Sequence, residues 1–239
     1  MRKDYSLVAK EVGKEYESHP NLIGILWIGS SSFGITDRFA DIDIRLLIDK
    51  SNKQFPMQQF VRHGINIEVD EISWDWLMKN HAIDSEERWI REKGVVLYDP
   101  HKRIAKRYTF LKRKMRVSTN RQLWEEFKDI FYSNDIENCL RRDDIVTSTL
   151  YLNRGIEKML KFIFLFNEKP VPPFKWRWYF VRQDKILPSK ITDLMEDIIK
   201  TSDSINNKLE KLISIEREFQ KLMIAKGFPK EQVMEHWRF

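Results

Sequence analysis

A chain of 239 residues with 42% apolar side chains can bury one large core or two smaller ones, and its composition excludes a disordered or low-complexity protein. One cysteine, Cys139, excludes an internal disulfide and any site built from several thiolates, and it fits a reducing cytoplasm. The 42 Lys and Arg against 36 Asp and Glu leave a net charge of +6, a lean toward anionic partners such as nucleotides.

The opening MRKDYSLVAKEV lacks the apolar stretch of a signal peptide, and no run approaches the roughly 18 apolar residues of a membrane span, so no membrane partner is expected. Leu7, Val8, Val12 and Tyr16 recur at helical spacing, which predicts a helix over 5–18, broken by His19-Pro20-Asn21. Leu22 to Ile28 is an almost unbroken apolar run and reads as a strand buried on both faces. Asp41 to Ile48 and the alternating Ile65 to Ile72 read as two more strands. Between them lie a polar connection, 49–52, and an amphipathic segment over 55–61. Ser73 is placed to cap a short helix with Trp74, Trp76 and Leu77, and Asp84-Ser85-Glu86-Glu87 has the spacing of a capping box for a helix running to Gly94. Val95 to Tyr98 reads as an edge strand. Asp99-Pro100 then predicts a helix with proline at its first position.

From about Asn120 the strand signals stop, and 120–133, 135–167, 190–200 and 203–226 carry helical periodicity. Pro170, Pro172 and Pro173 separate the second of these from the third. The expected fold class is α+β: an α/β domain with a small mixed sheet over 1–117, then an all-α helical bundle over 118–239. An aromatic share of 13% predicts heavy aromatic packing.

The stretch WIGSSSFGITDRFADIDIRLLID, Trp27 to Asp49, holds the chemistry. Period two puts Asp41 and Asp43 on one strand face, with Ile42 and Ile44 turned to the core. Carboxylates about 6–7 Å apart on one face repel unless something positive lies between them, and a divalent cation is one natural partner. In the next strand Asn66, Glu68 and Asp70 share the polar face, so Glu68 or Asp70 can face the aspartate pair. Three converging carboxylates suit two magnesium ions and a triphosphate. Gly29 lets backbone approach a ligand closely, and Ser30, Ser31 and Ser32 offer amide and hydroxyl donors for phosphate. The plainer reading of such an aspartate pair is a solvated strand edge. Strand periodicity and the third carboxylate favour a site.

Gly29-Ser30, ten residues, Asp41-Ile42-Asp43 and an acidic residue on a following strand together resemble the polymerase-beta-like nucleotidyltransferase superfamily. Its single-chain members, such as the kanamycin and other aminoglycoside nucleotidyltransferases, are the nearest in pattern. HGINIEVDEISWDWL looks like the third-carboxylate strand and following helix, which selects Glu68 over Asp70. CLRRDDIVTSTLYLNRGIEKMLKFIFLFNEKPVPPFKW looks like the helical-domain signature, so the resemblance spans roughly residues 20–180. Two places depart from the pattern: Phe33 and its neighbours stand where many relatives carry an arginine, and Ala40 where they carry a serine.

The resemblance implies a magnesium-dependent enzyme transferring a nucleoside monophosphate, AMP from ATP or another triphosphate, to a hydroxyl of a small acceptor such as an antibiotic. Asp41, Asp43 and Glu68 would hold two magnesium ions, and Gly29 and Ser30 the phosphates. A general base from the helical domain is also implied. Asp144 is the favoured candidate, with Asp143, Glu125, Glu126 and Glu157 open and a surface ion-pair cluster as the alternative. Lys175, beside Trp176, is a candidate triphosphate contact. The eight basic residues from Lys102 to Arg116 read either as a nucleic-acid footprint or as the solvated face of an amphipathic helix, and most such runs are the latter. Transfer to RNA or protein, and a regulatory module that binds nucleotide without turnover, are the competing functions. A monomer or a homodimer suits either.

Overall fold

The computed structural model describes residues 4–37, 39–49, 56–79, 85–114 and 120–235, and the chain divides into two units, Met1–Arg116 and Val117–Phe239. The first is a five-stranded mixed sheet with helices and the second is helical, an α+β architecture. Among the described residues no helix is long and apolar enough to cross a membrane.

In the first unit, helix α1 (Tyr5–Glu15) starts where the Asp4 carboxylate accepts a bond from the Leu7 amide at 3.0 Å. Strand β1 (Leu22–Ile28) is buried along nearly its whole length, as its unbroken apolar run predicts. β2 (Ile42–Ile48), β3 (Gln58–Arg62), β4 (Ile65–Ser73) and β5 (Val95–Tyr98) complete the sheet in the order β3-β4-β2-β1-β5. β2 and β4 run parallel, and the other neighbours antiparallel. The chain over 55–61 enters the sheet as edge strand β3, with residue 55 outside the described residues. His63 and Gly64, at φ 50° and 72°, turn it into β4 as a two-residue hairpin with Arg62 opposite Ile65.

Each face of the sheet has its own core. Ile25, Trp27, Ile42, Ile44, Leu46, Ile67 and Val69 pack with Tyr5, Val8 and Val12 of α1. Ile23, Leu26, Ile28 and Leu47 pack with Leu77 of α2 (Trp74–Met78) and Ile104 of α4 (Arg103–Lys114). α3 (Glu86–Lys93) follows Ser85, whose side chain makes no cap bond, and Asp84 of the expected box lies outside the described residues. Ser73 stands at the N-cap of α2, again with no side-chain bond. α4 begins at Arg103 rather than at Pro100: Asp99 reaches across the turn and accepts from the amides of Arg103 and Ala105, each at 2.9 Å.

In the second unit the chain forms α5 (Asn120–Lys128), α6 (Ser133–Leu140), α7 (Ile145–Phe166), α8 (Phe174–Gln183), α9 (Ser189–Lys200), α10 (Ile205–Ala225) and α11 (Lys230–Glu235). The helix expected over 135–167 is two helices. Asp143 at φ 57° leaves helical geometry, and Asp144 starts α7 afresh by accepting from the Thr147 amide at 2.9 Å. α8, dense in aromatic and cationic side chains, and the short α11 escaped the periodicity reading. Aromatic packing is as heavy as the composition predicts, with Phe162 centred between Phe127 at 5.8 Å and Phe219 at 5.5 Å.

Candidate active site

Gly29 ends β1 at φ 82° and ψ −178°, a region in effect reserved for glycine. A Cβ there would lie 2.1 Å from Asp43 Oδ2, so the turn backbone is pressed against that carboxylate. The next residues form a short 3₁₀ turn, Ser30–Phe33. Trp27 Nε1 donates to Ser31 Oγ at 3.1 Å, and Ser31 Oγ donates to the Asp41 carbonyl at 2.5 Å, tying this turn to the entry of β2. Ser32 Oγ donates to the Gly29 carbonyl at 2.8 Å. The expected three phosphate-facing serines therefore reduce to one: two hydroxyls brace the turn, and of the three only that of Ser30 has no partner among the described residues. Phe33 packs edge-on against Trp89 at 4.3 Å. The Tyr5 hydroxyl donates to the Asp37 carbonyl at 2.9 Å and steadies the segment before Asp41; burial first, then Asp37 and Asp41, raise its pKa.

Asp41 is the exposed residue just before β2, and Asp43 lies within the strand. Asp43 is the register partner of Glu68 across the parallel β2–β4 pair, and Arg45 that of Asp70, so both acidic strands present these groups on one face. That face is split along its length: Asp43, Arg45 and Glu68 occupy one end, and Leu47 and Ile72 join the apolar core at the other. A groove of about 430 Å³ runs past Asp41 and Glu68, bordered by Gln59, Phe60, Val61 and Asn66.

Sequence reasoning passed over one member of this group. Arg45 Nη2 lies 2.8 Å from Glu68 Oε1 and 3.9 Å from Asp43 Oδ1, and Gln59 Nε2 donates to Glu68 Oε2 at 3.3 Å. The signal was present, because period two puts Arg45 on the face of Asp43. The donors suit magnesium in kind, being hard carboxylate oxygens beside a bare glycine backbone. Among the described residues, however, no three His, Cys, Asp or Glu side chains gather as a metal site, and both oxygens of Glu68 are engaged, by Arg45 and by Gln59.

The remaining candidates have structural occupations. Asp144 caps α7, and its bonds from Thr147 hold its pKa below the ordinary aspartate range. That stabilisation is present at neutral pH and is lost as pH falls through the depressed pKa. Asp144→Ala is expected to lower the unfolding midpoint at pH 7, with the deficit shrinking on acidification below about pH 4. A pH-independent deficit would reject the cap as its origin. Glu125 pairs with Lys128 at 2.6 Å, Glu126 with Lys161 at 2.7 Å and Glu157 with Arg177 at 3.6 Å. Lys175 is exposed, its Nζ 5.6 Å from the Trp176 ring centroid.

Within the basic stretch, Arg107 is buried and donates to the carbonyls of Leu77 at 3.1 Å and of Met78, closing the end of α2. Arg91 joins it by donating to the Lys79 carbonyl at 3.0 Å over the Trp76 ring, and burial lowers its pKa to about 10. Arg103 stacks over Trp74 at 4.7 Å. A nucleic-acid footprint over 102–116 thus loses Arg107 to packing while Arg103 stays exposed beside Trp74, and the end of the stretch lies outside the described residues.

No family model and no curated protein matches the sequence. Among solved structures the chain is similar to a nucleotidyltransferase-like protein from Exiguobacterium sibiricum 255-15, at 13% sequence identity, over 97% of this chain and 78% of that one, with a TM-score of 0.49.

Proposed function

We propose that residues 1–117 form the catalytic domain of a nucleotidyltransferase that moves a nucleoside monophosphate, AMP from ATP, onto a hydroxyl of a small acceptor, with residues 118–239 supplying acceptor binding. The support is the meeting of Gly29 with Asp43: the turn backbone sits so close that a Cβ would stand 2.1 Å from a carboxylate whose register partner is Glu68. Ordinary strand packing gives no reason for a glycine-only turn to be pressed onto an acidic pair.

In the proposed reaction the acceptor oxygen bonds to the α-phosphorus, the bond to the β-phosphate oxygen breaks, and pyrophosphate leaves. Gly29 and Ser30 hold phosphate through backbone amides and one hydroxyl, with Lys175 as a second contact. Asp41, Asp43 and Glu68 would bind magnesium, which when bound neutralises the triphosphate and acidifies the acceptor hydroxyl. The chain's own contribution is electrostatic and positional. A depressed pKa makes Asp144 a weak base at neutral pH, so loss of transfer in Asp144→Ala beyond about a hundredfold, with folding intact, is the result that would establish it as proton acceptor.

Arg45 supports a second reading. A carboxylate pair already neutralised by a guanidinium suits a module that binds nucleotide without turnover.

One experiment separates the two. The protein is incubated with α-labelled ATP, magnesium and pooled aminoglycosides, lincosamides, tRNA or cell protein. Label is expected in a small-molecule pool, with one pyrophosphate per transfer, and is expected to vanish with EDTA. Saturable ATP binding with neither label nor pyrophosphate would replace the enzyme by the module. Label in tRNA, falling steeply with salt, would move the acceptor to RNA.

A further inference from the structure

We propose that a groove on the helical unit, walled by α9, α10 and α11, binds a small organic oxyanion, and that Gln220 supplies the hydrogen bond that orients it. The groove encloses about 430 Å³, the size of a small-molecule site. Arg217, Gln220 and Ile224 follow one another along α10 at the spacing of successive turns, so they share one face of the helix. Lys190 of α9 and Met234 of α11 complete the wall.

Gln220 is 3% exposed, yet its Nε2 has no hydrogen-bond partner among the described residues. A buried amide without a partner costs free energy that leucine or methionine at the same place would not. Glu216, one turn earlier on the same helix, is as deeply buried and accepts three bonds. Gln220 instead borders open space. An oxygen placed in the groove gives its NH2 an acceptor, since the amide turns about its terminal bond. Charge decides the kind of oxygen. Glu218 Oε1 accepts from Lys190 at 2.8 Å and from Lys221 at 3.0 Å, and these bonds hold its pKa below the ordinary glutamate range. Arg217 adds a third cation to the same wall, so three cations against one carboxylate leave the lining two charges positive. An anion is favoured there, and Ile224 and Met234 offer a surface to a short apolar part.

Nuclear magnetic resonance titrations of the isotope-labelled protein test this with butyrate, butyl phosphate, inorganic phosphate and butylammonium. Butyrate or butyl phosphate is expected to shift signals of α10 saturably and to move the side-chain amide signal of Gln220, identified as the one missing from Gln220→Met. The tighter of the two names the ligand as a carboxylate or a phosphate ester. Inorganic phosphate, lacking the apolar part, should bind about threefold more weakly or worse, and butylammonium not at all. Gln220→Met should fold with a melting temperature at or above that of the wild type and bind the better probe about tenfold more weakly. Lys221→Met, at an exposed position, should weaken it about threefold without moving the melt. A response to butylammonium equal to that to butyrate would overturn the proposal, as would binding by Gln220→Met within about twofold of wild type. A Gln220 amide signal that stays still under all four probes would overturn it too. The transfer reading survives each of these results, because no nucleotide takes part in them.

Discussion

Asp43→Asn is expected to reduce the proposed nucleotidyl transfer by about a hundred- to a thousandfold while leaving the N-terminal unit folded. Asparagine preserves the volume of the side chain, removes its charge and turns one acceptor oxygen into a donor. Asp43 stands where the Gly29 turn, the Glu68 register position and the Arg45 guanidinium meet, so its charge acts on everything in the site. Deleting one prepositioned electrostatic group from an active site commonly costs factors of this size. Folding should survive, because the core beneath depends on Ile42 and Ile44, both fully buried. Transfer assays paired with thermal melts check the claim. Activity within about threefold of wild type would show that any chemistry happens elsewhere.

Gly29→Ala probes the same meeting from the backbone side. At φ 82° and ψ −178° an alanine carries strain on the order of 1–3 kcal/mol, and its Cβ would overlap Asp43 Oδ2. The turn must move, and a displacement of about 1 Å in a site that works by positioning is enough for a hundredfold loss. The two variants fail differently. Asp43→Asn should leave stability near wild type, whereas Gly29→Ala should lower both transfer and stability.

The acidic face was legible because strand alternation is strict. Once Ile42 and Ile44 are assigned to the core, Asp43 has to face the other way, and the same rule places Glu68 opposite the core-facing Ile67 and Val69. The rule reached Arg45 equally well. Charge repulsion between the two carboxylates points to a cation without saying whose, and the sequence holds one two residues on from Asp43. Other misses share a cause, namely that tertiary partners reassign a residue's local signal. Ser31 and Ser32 look like phosphate donors until the Asp41 and Gly29 carbonyls claim their hydroxyls. Arg107 looks solvated until the carbonyls at the end of α2 need donors. The break between α6 and α7 rests on one aspartate at positive φ, which apolar periodicity does not register.

Glu216 carried no signal at all, and its removal is expected to be the largest destabilisation in the helical unit. α6 begins after Tyr132, which offers no side-chain cap, so its first amides need an acceptor from elsewhere. Glu216, fully buried on α10, supplies it: its carboxylate accepts from the amides of Tyr132 at 3.0 Å and Ser133 at 3.2 Å and from Ser133 Oγ at 2.6 Å. The negative charge also sits at the favourable end of the helix dipole. Glu216→Ala leaves a void and takes the acceptor from three donors, two of them buried, which points to a loss of about 3–5 kcal/mol. Glu216→Gln keeps one carbonyl oxygen and should lose about 1.5–3 kcal/mol. Urea unfolding followed by circular dichroism distinguishes these values, and the order Ala below Gln below wild type is the essential result. An alanine variant within about 0.5 kcal/mol of wild type would mean that water or another side chain already serves the start of α6, and that the link between α6 and α10 is packing rather than a buried cap.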